Sequence, residues 1–119
     1  MSKIVAQSRC THKVVAAPGV VLDGVHASAD VWSDGVVFAG GWIDSPILDG
    51  EIISFRFTCT RHGRWWVLRD AAGVEVIDWV KGTREDIAVL AQNLASKAIR
   101  EEVRRRWAAN EKRGLPTSR

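Results

Sequence analysis

The chain has 119 residues, 46% hydrophobic and 26% charged, which makes one ordinary globular domain with enough chain for a core and too little for two. Its formal net charge of +3 is unevenly spread: residues 1–50 hold three basic and five acidic groups, residues 83–119 nine and five. That asymmetry leaves an anionic partner near the C-terminal end or a solvated basic tail, while the absence of a long apolar run or a secretory h-region sets the expectation of a cytoplasmic protein with no membrane contact.

In chain order, Lys3 to Ala6 and Lys13 to Ala17 read as short strands, the second closed by Pro18-Gly19. Three Asp-Gly pairs follow, Asp23-Gly24, Asp34-Gly35 and Asp49-Gly50, each between apolar segments and each a hairpin signal. Gly40-Gly41 inside a strand pattern marks a bulge or a close backbone approach. Strands are expected at Ile52 to Thr60, Arg64 to Arg69 and Val74 to Val80, separated by turns at Gly63 and Gly73. The first alternates cleanly, with Ile53, Phe55, Phe57 and Cys59 on one side. Trp65 to Leu68 is apolar on both sides, which implies a strand covered on both faces, by the helix and by the N-terminal strands.

From Thr83 the period changes to that of a helix. Thr83 can cap it, Glu85 and Asp86 complement its dipole, and Gly114 and Pro116 stop it. Ile87, Leu90, Ala91, Leu94 and Ala98 form one apolar face. Past Ala98 a second row appears, Ile99, Val103 and Trp107, among Arg100, Arg104, Arg105 and Arg106. On a straight helix it lies nearly opposite the first. Either the helix curves to keep that row at home, or its last turns leave the domain and dock on a second molecule. The fold class expected is α+β: an antiparallel β-meander of five to six strands (residues 1–82), as a curled sheet or small sandwich, with one long C-terminal helix (83–113) in a single domain 1–113. Residues 114–119 are expected to be a disordered tail.

Residues 55–94 resemble the three-stranded-sheet-plus-helix DNA-binding domains of tyrosine integrase arm-type and plant ethylene-response-factor proteins. Arg56 on a strand, Gly63 followed by Trp65, a turn at Asp70 and Gly73, and a helix opening at Thr83-Arg84-Glu85-Asp86 carry the resemblance. It implies an open sheet face entering the major groove, with Arg56, Thr58, Arg61, Arg64, Trp65 or Trp66, and Arg69 as contacts.

Cys10, His12, Cys59 and His62 supply the ligand types of a zinc site, but neither pair has knuckle spacing, and no metal or cofactor is expected. Cys59 with a histidine is the one thiol nucleophile arrangement available. Without an acid–base pair or a phosphate loop beside it, no enzyme is expected. Trp32, Trp42, Trp65 or Trp66, and Trp79 fall in strand patterns and read as core. The leading expectation is therefore a small non-enzymatic regulatory or accessory protein that binds nucleic acid through Arg56, Arg61, Arg64, Arg100, Arg104, Arg105 and Arg106. The second is a protein-interaction module, a homodimer or adaptor, docking through Ile99, Val103 and Trp107.

Overall fold

The computed structural model describes residues 2–43 and 50–112, with the side chains of 50–52 and 77–81 outside the description. Strands β1 (Ile4–Ala17), β2 (Val20–Trp32), β3 (Val36–Ile43), β4 (Gly50–His62), β5 (Trp65–Arg69) and β6 (Glu75–Lys81) precede one helix, α1 (Arg84–Lys112). They form a single antiparallel sheet in the order β1-β2-β3-β4-β5-β6, curled into a half-barrel around α1. Meander and C-terminal helix are thus the α+β arrangement that the pattern predicts. The expected tail lies outside the described residues, as does the turn at Asp49.

The Asp-Gly pairs do two different things. Asp34-Gly35 turns β2 into β3, with Gly35 at φ 92° and Val36 N–H donating to the Asp34 carboxylate at 3.1 Å. Asp23-Gly24 makes no hairpin. It is a bulge inside β2, where both residues face Lys13 alone, and the expected strands of β1 run on as one. The turn falls at Pro18-Gly19 instead. A positive φ suits a tight turn and a bulge equally, so the dipeptide alone does not separate them.

The N-terminal strands do not cover the second face of the sheet. They extend it sideways, because each short turn pairs neighbours within one layer. On β2 the even alternation puts Val25, Ala27, Ala29 and Val31 under α1 and leaves His26, Ser28, Asp30 and Trp32 on the outer face.

Of the two alternatives for Ile99, Val103 and Trp107, the row stays at home: it is core and offers no outward docking face. Ile99 and Val103 are fully buried and Trp107 is 2% exposed, against Val14, Leu22, Val25 and Ile43 of the same chain. Trp107 also donates its indole N–H to Glu111 at 2.7 Å. The reason is visible along the helix. Ile87, Ala91, Ala95, Ile99, Val103 and Trp107 are spaced by four and all buried. Each such step advances about 40° around the axis, so the row turns through roughly 200°. A flat layer touches only part of that spiral, whereas a curled, twisted sheet follows it from end to end.

Gly41 sets how closely the layers approach. A Cβ there would lie 2.2 Å from the His26 carbonyl oxygen and 2.2 Å from Ile99 Cδ1. The close approach expected at Gly40-Gly41 is present, together with a register shift between Gly41 and Trp42.

Candidate functional site

Over β2 and β3 the outer face of the sheet has no element packed on it among the described residues. On β3, Val37, Ala39, Gly41 and Ile43 are buried toward α1, which forces Phe38, Gly40 and Trp42 to the outside. Phe38 is 45% and Trp42 41% exposed. Four residues apart on one strand face, their rings stand about 13 Å apart by strand rise. Gly40 is the floor between them, where a Cβ would meet the Ile53 carbonyl oxygen at 2.6 Å. The resulting depression has a volume of about 400 Å³, with Ser28 and Ser54 on its flanks.

Trp42 stacks on His26, with centroids 4.8 Å apart and planes within 17°. Thr11 Oγ1 lies 3.1 Å from His26 Nδ1 and fixes that ring. Around the aromatics sit charged groups. Asp30 accepts from Gln7 at 2.9 Å and pairs with Arg9 at 3.7 Å. Arg56 is the cross-strand partner of Phe38 and makes no ion pair among the described residues. Its charge reaches Asp34, whose carboxyl is lowered mainly by the Val36 N–H, then by the Ser2 hydroxyl, with Arg56 adding to both.

The arginines expected to form one interface are distributed over separate surfaces. Arg56 is on the outer face, level with Thr58 and Arg69. Arg61 turns the other way, its guanidinium 5.6 Å above the Trp66 ring and its Nε donating to the Gly63 carbonyl at 2.7 Å. Arg64 is exposed after that turn. Arg100, Arg104, Arg105 and Arg106 belong to α1, on the far side of the sheet from Arg56. Arg104 Nε donates to the Val15 carbonyl at 3.0 Å, while Arg105 and Arg106 both hold Glu102. Of the contacts implied by the DNA-binding resemblance, Arg56, Thr58, Trp65 and Arg69 share the outer face, and Arg61 and Trp66 share the inner one.

Cys10 and Cys59 border different core clusters and do not converge with His12 and His62. Among the described residues no three His, Cys, Asp or Glu side chains gather around a point. Burial pushes the Cys59 thiol up to about 11, so it is neutral near pH 7.

Phe38 and Trp42 are not among the site residues that the sequence predicts, and Trp42 departs from the expectation of core; of Trp65 and Trp66, it is Trp66 that packs on the core, while Trp65 is 41% exposed. The signal was present in the alternation Val37, Ala39, Gly41, Ile43, which places small and branched residues inside and large rings outside. No protein-family model, curated protein or solved structure matches the chain.

Proposed function

We propose that this is a small non-enzymatic protein that binds single-stranded nucleic acid on the outer face of its sheet. The observation that carries the reading is the pair of exposed rings, Phe38 and Trp42, on one strand face with a glycine floor between them. Exposed aromatics on an open antiparallel sheet are stacking platforms for unpaired bases, and each stacked base is worth about 1–3 kcal/mol. His26 already occupies one side of Trp42 in a parallel stack, the geometry that a base adopts. Arg9 and Arg56 flank the rings and suit phosphates, and the Ser28 and Ser54 hydroxyls suit base edges or sugar. A curled sheet presents this face as a convex surface, which matches a flexible strand better than a rigid duplex. Arg100, Arg104, Arg105 and Arg106 are peripheral in this reading.

The test is anisotropy of a labelled oligonucleotide of about twelve bases, titrated at several salt concentrations. Saturable binding that weakens with salt is expected. Phe38→Ala and Trp42→Ala should each weaken it by roughly fivefold to a hundredfold, with little change in melting temperature. No binding at low salt, or binding indifferent to both substitutions, rejects the proposal. Parallel titrations of DNA and RNA strands decide between the two.

A further inference from the structure

A second opening lies where β4 outruns β3. The β3–β4 pairing begins at Val36 and Thr58, and beyond it β4 continues to His62 with β5 as its one strand partner among the described residues. The step in the sheet is a notch of about 410 Å³, bounded by the β2–β3 turn, Thr58 to Arg61, Trp66 and Arg84. Gly35 keeps it open on the turn side. Its φ is 92°, and a Cβ would sit 2.8 Å from the Cys59 carbonyl oxygen.

The notch is lined for an anion. Arg61 and Arg84 bring two guanidinium groups, and Arg61 is held ready by its stack on Trp66 and its bond to the Gly63 carbonyl. Thr58, Thr60 and Ser33 add hydroxyls. Trp32 adds an indole N–H that is buried with no hydrogen-bond partner among the described residues. Asp34 is the one carboxylate in the lining among the described residues, and it is already engaged by the Ser2 hydroxyl at 2.8 Å and the Val36 N–H at 3.1 Å. The neutral Cys59 thiol contributes no charge. The capped backbone N–H groups at the start of α1 are not part of the site, because Thr83 and Asp86 hold each other there; α1 contributes only the Arg84 side chain.

One side of β4 runs from the aromatic depression to the rim of the notch. Ser54 lines the depression, Thr58 and Thr60 line the notch, and Arg56 stands between them on the same side of β4. Ser54 and Thr60 are about 20 Å apart by strand rise, a few nucleotides of extended strand. We propose that the notch is a phosphate-binding site, and that on a strand held by the sheet face it takes the terminal phosphate monoester. A monoester carries close to two negative charges at pH 7, against one for each internal phosphate, so two arginines favour the end over the interior. This second half rests on the nucleic-acid reading.

Three oligonucleotides of one sequence test it: 5′-phosphorylated, 3′-phosphorylated and unphosphorylated, alongside inorganic phosphate followed by tryptophan fluorescence. One phosphorylated end should bind about tenfold tighter than the unphosphorylated strand, and Arg84→Gln should erase that advantage while Lys97→Gln leaves it. Inorganic phosphate should change the fluorescence saturably in the wild type and not in Arg84→Gln. Equal binding of all three oligonucleotides overturns the terminal-phosphate site and leaves the sheet-face reading standing. If no oligonucleotide binds but phosphate still gives the Arg84-dependent signal, the sheet-face reading falls and the notch is supported. If neither binds, both are overturned.

Discussion

The two halves of α1 meet one sheet in different ways. From Ile87 to Ala95 the helix presents mainly alanine, and the bulk comes from the strands, in Phe57 and Leu68. From Ile99 to Trp107 the helix brings bulk of its own, and the sheet meets it with Val14, Leu22, Val25 and Ile43 and, under Ile99, with the bare backbone of Gly41. Between them runs a polar belt: Ser8 Oγ donates to Gln92 Oε1 at 3.1 Å, and Gln92 Nε2 to Ser96 Oγ at 2.8 Å. Small-on-large at one end, and at the other bulk on both sides with a glycine making room for Ile99, keep the layers packed while the contact row winds around the helix. Size complementarity, more than a constant apolar face, holds this helix in its sheet.

The sharpest way to break the second half is Trp107→Ala. It removes the largest side chain of that cluster and leaves a cavity that alanine cannot fill, with an expected loss of about 3–5 kcal/mol by thermal or urea unfolding. Folded material should keep the solution mass of the wild type. A change of mass without loss of stability would return Trp107 to an interface and contradict its burial.

Next in size is Gly41→Ala, which sets a methyl group against both Ile99 and the His26 carbonyl. Overpacking of this kind costs about 1–3 kcal/mol, and more where backbone must move. Ile99→Ala alone should cost about 2–5 kcal/mol. Combined, the two should cost less than their sum, because losing the Ile99 side chain relieves one of the clashes while the His26 carbonyl remains. Strict additivity in unfolding measurements would mean that Ile99 does not rest on Gly41.

These two residues also mark how far the sequence can be read. The meander, the helix and its start were legible because turn glycines and a change of period are local signals. The alternation of Phe55, Phe57 and Cys59 likewise identified the inner face of β4. The fate of Ile99, Val103 and Trp107 was not legible, because a helical wheel assumes a flat neighbour, and curl is a property of six strands together. With a wrapped sheet in mind, the unbroken row from Ile87 to Trp107 at intervals of four is the stronger pattern. The outer site was half legible. Arg56 was placed by alternation, but Phe38 and Trp42 were hidden because an aromatic in a strand reads the same whether it faces the core or solvent until its neighbours are assigned.

The smallest effect belongs to the solvent side of the helix's second half, where Glu102 is held by Arg105 and Arg106. Hydrogen bonding from Arg105 first, then from Arg106, brings the Glu102 carboxyl down to about 2 from an ordinary 4.5. A carboxyl with a depressed folded-state pKa stabilises fully above its unfolded value, and the contribution fades as pH falls through the folded value. The stability difference between wild type and Glu102→Gln should therefore be constant above about pH 5 and close between about pH 4.5 and 2. Its size should stay below about 1 kcal/mol, because the Arg105 side chain is 67% exposed and water and salt screen the pair. Added salt should shrink it further. A difference that grows on acidification would show that Glu102 is not the partner of these arginines, and would free Arg105 and Arg106 as cations for a ligand on the helix side of the sheet.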